Sequence, residues 1–269
     1  MDRKGGRCRL ARVFTIAMNK GGTGKTVTTV SLAAIAAQHG FRTLIVDADH
    51  QGNALLSFGQ AAEELPHTLF DVLMDRVSVS EAIYSLTAHL DILPANDSLA
   101  LIDFEILGAG SSRYSHPFHL LRRVLDPLQE RYDYIFIDSP PSLGLMTGNA
   151  LIAAQAVIVP VQTEHFALRG LVKVLDAIND IRDREHPQLQ IHGILATMAD
   201  SRTTLSTEIL QEIRRFYQPR HIRVFETVIP RSVRFAAAPA YHGQPAVLID
   251  RANPLVQAYY SLWEEAFRT

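Results

Sequence analysis

Residues 20–26 read Lys-Gly-Gly-Thr-Gly-Lys-Thr, between an apolar run and a segment of helical periodicity. Glycines at this spacing let the backbone curl so that successive N–H groups face an anion. The positive end of the following helix dipole points at the same place. A lysine ammonium suits a phosphate oxygen, and a hydroxyl one residue later suits a divalent cation. The pattern predicts a phosphate-binding loop built from Gly21, Gly22, Thr23, Gly24, Lys25, Thr26 and Val27. Lys25 is placed on the β- and γ-phosphates of ATP, and Thr26 on Mg²⁺. Lysine is scarce, with only Lys4, Lys20, Lys25 and Lys173, so two of four fall inside this motif. With Lys25, Lys20 puts two cations around one triphosphate. It can fold back on its own nucleotide or reach one held by a second subunit.

Carboxylates at strand ends complete the expected site. Asp138 follows the apolar run YIFI, where a Walker B aspartate holds Mg²⁺ through water. Asp47 and Asp49 end a second run, and period-2 alternation places both on one face with Ala48 opposite. One would serve the metal shell and the other would orient the attacking water.

These groups need strands that end together. Short β-branched runs alternate with helical periodicity, which predicts an α/β P-loop NTPase fold, a mostly parallel twisted sheet with helices on both faces. Strands are expected at 13–19, 42–49, 90–95, 134–138, 156–161 and 191–197. Helices are expected at 26–39, 117–131, 167–183, 204–217 and 255–267, with short helices over 68–86. Gly40 is expected to cap the first helix in the left-handed conformation. Residues 108–116 read as a surface loop. A basic extension over 1–11 and one domain over 12–269 are the simplest partition; so short an extension leaves no room for an N-terminal helix-turn-helix.

Composition narrows the function classes. Among 269 residues 47% are hydrophobic and 20% charged, as in a globular α/β protein. No apolar stretch reaches membrane-spanning length and no secretory signal pattern is present. A single cysteine, Cys8, forbids an internal disulfide and favours a cytoplasmic setting. Between 201 and 235 there are seven arginines against three glutamates, either a solvated helix face or an anion-binding surface.

Beyond the loop, IVDADHQGNAL (45–55), YDYIFIDSPPSLGLMTGNAL (132–151), VPVQTEHFALRGL (159–171), ILATMADSRT (194–203) and VIPRSVRFAAAPAYHGQP (228–245) occur in this order. With KGGTGKT they make the chain resemble the ParA/Soj family of DNA-partitioning ATPases, of deviant Walker A type. The resemblance implies that Lys20 contacts ATP across a sandwich homodimer. It implies that Asp49 positions the hydrolytic water, that Thr26 binds Mg²⁺, and that Asp47 and Asp138 support the metal. Met198 and Pro230 fall where similar proteins pack the adenine. Arg202, Arg231 and Arg234 fall in the stretch that contributes to nonspecific binding of double-stranded DNA. A ParB-like centromere-binding partner, slow partner-stimulated hydrolysis and a nucleoid-associated location are further implications. Val27 stands where the family has a second threonine, His50 where it has proline, and FAAAPA replaces an LSEAPS-like stretch.

Rival readings differ in specific residues. A MinD-like positioning ATPase needs a basic amphipathic C-terminal helix, whereas this chain ends with Glu264 and Glu265 against Arg268. An iron–sulfur ATPase needs more cysteines than Cys8. Intact Lys25, Asp49 and Asp138 argue against an ATP-dependent DNA-binding scaffold that has lost hydrolysis.

Overall fold

The structure is a computed structural model and describes residues 10–108, 114–164, 167–200 and 203–268. In chain order it places β1 (Arg12–Ile16), α1 (Lys25–Gln38), β2 (Thr43–Asp47), α2 (Asn53–Leu56), α3 (Leu69–Leu73), β3 (Tyr84–Thr87), β4 (Leu90–Leu93), α4 (Ile102–Gly108) and α5 (Leu120–Leu125). There follow β5 (Tyr134–Asp138), α6 (Leu145–Ala153), β6 (Ala156–Gln162), α7 (Ala167–Arg184), β7 (Gln190–Ala199) and α8 (Thr204–Tyr217). The described chain ends with β8 (Val224–Pro230), α9 (Arg234–His242), α10 (Ala246–Ile249) and α11 (Pro254–Phe267). The eight strands form one sheet in the order β3-β4-β2-β5-β1-β6-β7-β8, parallel except for β3.

The central strands are apolar throughout because both of their faces are covered. Every residue of β2 and β5 is buried. Two core clusters result, one on each face. One gathers residues of α3, α5, α6, α7 and α8, the other residues of α1, α9, α10 and α11. α1 is buried nearly all round, which explains its run of alanines. Gly40 follows it at φ +83°, as the sequence predicts.

Chain order and strand order part company at β1. The chain moves from β1 to β2 on one side, and later from β5 across β1 to β6 on the other. Such a reversal opens a crevice at the carboxyl ends of the strands. Register then levels those ends, pairing Ile16 with Asp138 and Asp138 with Asp47.

Two expectations change. Residues 84–87 are a strand, not a helix: Tyr84–Thr87 alternates half-buried with exposed residues and pairs antiparallel with β4. Residues 117–131 form the short helix α5 flanked by single 3₁₀ turns, with Pro117 opening the first turn and Pro127 interrupting the amphipathic pattern. β8 and α9, on which the periodicity was silent, complete the far edge and one wall of the cleft described below. The centre of the loop expected at 108–116 lies outside the described residues.

At the sheet edge, β8 exposes backbone N–H groups that need partners. Glu265 of α11 supplies them, accepting from the N–H of Glu226 at 2.8 Å and of Thr227 at 2.9 Å. Burial alone would raise its pKa, but these bonds and Arg223 outweigh it and hold the carboxyl below its ordinary value. Glu265 therefore contributes stability that is present above the ordinary carboxylate range and is lost as pH falls through the lowered pKa. α11 is fixed by more than this contact. Its apolar face, with Val256, Tyr259, Leu262, Trp263 and Phe267, is buried in the core. Among the described residues no helix is long and apolar enough to cross a membrane.

Gly59 and Gly243 join two segments backbone to backbone. Both have left-handed φ (+72° and +60°), and a Cβ on Gly59 would lie 2.6 Å from Gly243 Cα. Gly40 is equally left-handed, yet a Cβ there meets nothing within 4 Å. Gly40→Ala is therefore expected to cost about 1 kcal/mol, the left-handed penalty alone. Gly59→Ala should cost about 1–3 kcal/mol more, since backbone must move. Chemical denaturation of both variants checks the difference; equal losses would show that the Gly59–Gly243 contact carries no constraint.

Candidate active site

The loop between β1 and α1 is built around two left-handed glycines, Gly22 (φ +72°) and Gly24 (φ +81°). Its outer carbonyls are pinned by neighbouring strands. Gln162 Nε2 donates to Gly22 O at 2.6 Å, and Thr197 Oγ1 donates to Thr23 O at 2.8 Å. α1 begins without a side-chain cap and without an acidic residue in its first turn. Its leading N–H groups are thus left for an anion, as a helix entry of this kind provides.

Lys25 is buried, and its Nζ donates to the backbone carbonyl of Lys20 at 3.1 Å. Burial lowers its pKa, opposed by the charges of Asp138 and Asp49. Thr29 Oγ1 donates to Asp138 Oδ1 at 3.2 Å, whereas Asp138 Oδ2 is buried with no hydrogen-bond partner. An orphaned carboxylate oxygen here fits a water on a divalent ion, and the Thr26 hydroxyl is close enough to interact with Asp138. Burial raises the Asp138 pKa to about 7, against the pull of Thr26, Lys25 and Thr29.

Asp47, expected to support Mg²⁺, is tied to the backbone in this structure. β2 ends at Asp47, so the alternation does not extend to Asp49. Asp47 accepts from the backbone N–H groups of Asp49 and Ala54, each at 3.0 Å. It thereby braces the 48–54 segment, and burial with the nearby Asp138 raises its pKa. Asp49 is 6% exposed and opens onto the cleft, accepting from Gln51 N–H at 3.2 Å. His50 Nδ1 lies 3.5 Å from Asp49 Oδ1 and its Nε2 2.8 Å from Gln51 Nε2. His50 is thus tied to the carboxylate expected to hold water.

The loop opens onto a cleft of about 460 Å³. Gly21, Gly22, Gly24, Lys25, Thr26 and Asp49 line its polar end, and Val27, Leu56, Met198, Phe235, Ala236 and Pro239 its apolar walls. Met198 lines the cleft, with the left-handed φ of +51° that costs a non-glycine residue about 1–2 kcal/mol. Pro230 is not among the lining residues: it ends β8 paired with Ala199, and α9 provides that wall. α9 was missed because Pro239 lies within it. Val27 presents an apolar side chain to the cleft, so only its backbone N–H is available to phosphate.

Lys20 lies outside this lining, half-exposed, with Nζ 3.5 Å from Glu164 Oε2. Arg231 is paired with Glu164 at 2.6 Å and Arg234 with Asp250 at 2.8 Å. Arg214 and Arg223 of the same stretch are paired with Glu226 and Glu265. Arg202 lies outside the described residues. The arginine-rich stretch is therefore internally neutralised to a degree that counting charges does not show.

The buried Asp138 yields a signed expectation. Its pKa lies at about 7 in the folded chain against 3.8 ordinarily, so its contribution to stability is full below the ordinary value and lost as pH rises through about 7. Asp138→Asn should raise the melting temperature at about pH 8 while weakening Mg²⁺-dependent nucleotide binding roughly tenfold or more. Wild-type Mg²⁺–nucleotide affinity should rise between about pH 6 and 8 with proton release. Calorimetry in buffers of different ionisation enthalpy measures that release; a pH-independent affinity would remove Asp138 from the site.

Comparison with known proteins supplies an independent assignment. A family model described as an AAA domain matches residues 11–191. The chain is 37% identical over 257 residues to the sporulation initiation inhibitor protein Soj of Bacillus subtilis, covering 95% of this chain and 98% of that one. It is 37% identical over 257 residues to the chromosome partitioning protein ParA of Caulobacter vibrioides, covering 94% and 93%. Among solved structures, cobyrinic acid a,c-diamide synthase from Mycobacterium smegmatis, with bound ADP and magnesium, superposes with a TM-score of 0.79 at 32% identity, covering 95% of each chain. The phosphate loop, the levelled strand ends and near full-length similarity to Soj and ParA agree, and the chain belongs to the ParA/Soj family of P-loop partitioning ATPases.

Proposed function

We propose that this protein is a partition ATPase. It binds ATP with Mg²⁺ in the cleft at α1, pairs two copies around their nucleotides and then holds double-stranded DNA without reading sequence. A ParB-like centromere-binding partner stimulates slow hydrolysis to ADP and phosphate, which separates the copies and releases DNA. The protein works in the cytoplasm on the nucleoid. The relative named as a chromosome partitioning protein favours this reading.

One observation carries most of its weight. Lys25 lines the cleft, whereas Lys20 lies outside it with its ammonium turned toward solvent and Glu164. A lysine so placed suits a phosphate brought by another copy better than one in its own loop. Thr26 and Asp138 would hold Mg²⁺, which would supply neutralisation of phosphate charge. The loop N–H groups and Lys25 orient the triphosphate, and Asp49 orients water.

DNA contact is assigned to Arg202, Arg231 and Arg234. The Arg231 and Arg234 ion pairs are exposed and each worth about 1 kcal/mol or less, so a polyanion can displace them. Two weak patches on one dimer act as a bivalent ligand. α11 itself is unavailable as the membrane-binding helix that the MinD-like alternative needs, because its apolar face is buried. A hydrolysis-deficient scaffold would bind DNA with ATP but release no phosphate with any partner.

Lys20→Gln is expected to keep nucleotide binding and lose ATP-dependent dimerisation, as measured by light scattering after size exclusion. A variant that dimerises like wild type would refute the cross-subunit role. Asp49→Ala should lower hydrolysis about a hundredfold or more while trapping an ATP-bound, DNA-retaining dimer. Rapid phosphate release by that variant would remove Asp49 from water positioning.

A further inference from the structure

Three strands of the sheet deliver one residue each to a point beside the phosphate loop. Lys20 follows β1, Glu164 follows β6 and Arg231 follows β8. Glu164 holds a different cation on each oxygen, Oε2 facing Lys20 Nζ at 3.5 Å and Oε1 facing Arg231 Nη2 at 2.6 Å. All three backbones are fixed. The Lys20 carbonyl accepts from Lys25 Nζ and Thr23 Oγ1. Glu164 N–H donates to Gln162 O, and Glu164 O accepts from Ala167 N–H. Arg231 N–H donates to Ala199 O. Only side chains are free to change partners, and each is about half exposed, so the exchange is inexpensive.

We propose that Glu164 is a brake on the DNA surface, an internal carboxylate that competes with DNA phosphate for Arg231 and is shared with Lys20. The proposal rests on the reading that Arg231 contacts DNA. Its sign follows from charge. One carboxylate divided between two cations holds each less firmly than it would hold either alone. When Lys20 leaves for a nucleotide phosphate, Glu164 grips Arg231 harder; when Arg231 leaves for DNA, Glu164 grips Lys20 harder. This one side chain thus contributes a local, reciprocal penalty that opposes the gain in DNA affinity from pairing two copies. Neutralising Glu164 removes both the competitor and a negative charge beside the DNA backbone.

The test uses the full chain without nucleotide, so that Lys20 is not drawn to a second copy, and a short mixed-sequence duplex titrated across salt from a low starting concentration at which a single patch binds. Glu164→Gln is expected to raise affinity about fivefold, the scale of an exposed ion pair. It should also steepen the slope of log affinity against log salt by about 0.9, the signature of one further phosphate contact. Arg231→Gln should cancel that gain in the double variant. Lys20→Ala should lower affinity when Glu164 is present and leave it unchanged in the Glu164→Gln background. That result separates sharing of the carboxylate from direct contact of Lys20 with DNA. An unaltered affinity and slope in Glu164→Gln, with Arg231→Gln still weakening binding, would overturn the brake and leave the DNA surface standing. If Arg231→Gln has no effect, the surface assignment fails and the brake with it. A Lys20→Ala loss that persists without Glu164 would also overturn the sharing.

Discussion

Asp138 carries the constraint on which the rest of the site depends. A carboxylate closed off from water at the end of the central β5 strand, with one oxygen unpartnered, is costly to keep ionised. The fold tolerates it because β5 lies between β1 and β2, and the register brings Ile16, Asp138 and Asp47 level. That alignment sets Asp138 under the start of α1, beside Lys25, Thr26 and Thr29. Lys25 in turn is buried and leans on the Lys20 carbonyl, so each charge is held where a nucleotide and its metal would relieve it. Left-handed backbone at Met198 adds strain to the same cleft. Stability is low where chemistry is expected, and the apolar central strands offset the cost.

The cleft depends on elements far apart in the chain. Leu56 and Ser57 face it from one side and Phe235, Ala236 and Pro239 from the other. Behind them Gly59 and Gly243 touch through backbone alone, fixing the two walls at a separation that no side chain could reproduce. α11 packs beneath, and its Glu265 satisfies the open edge of β8. The strand that presents Arg231 is therefore held by the same helix that fills the core.

Charge in this protein is organised as small exchangeable pairs. Glu164, Asp250, Glu226 and Glu265 neutralise four arginines of the basic stretch. The Arg231 and Arg234 pairs, whose arginines are the more exposed of these, contribute little to stability. Their consequence lies in what they withhold: an arginine already facing a carboxylate binds phosphate only after exchange. For the proposed DNA surface, that arrangement would make binding weak and reversible whatever the net charge.

The local chemistry of this chain was legible in its sequence. Glycine spacing in KGGTGKT dictates the left-handed turns at Gly22 and Gly24, and apolar runs ending in aspartate dictate buried strands that stop at the crevice. Both are short-range effects of sterics and burial, so they can be read from neighbouring residues. The periodicity misread Tyr84–Thr87, because that strand exists only through pairing with β4. It left α9 unseen behind Pro239, and it supported no wall-forming role for Phe235 or Ala236. The 49–54 backbone that folds over Asp47 and donates one N–H to each of its oxygens was not legible, since those bonds form only where the chain turns back after β2. The partners of Lys20 and Arg231 were also out of reach: Glu164 lies 144 residues from one and 67 from the other. Sequence determined which groups the site contains; strand order and register decided which charges meet, because electrostatic pairing depends on distance in space and not along the chain.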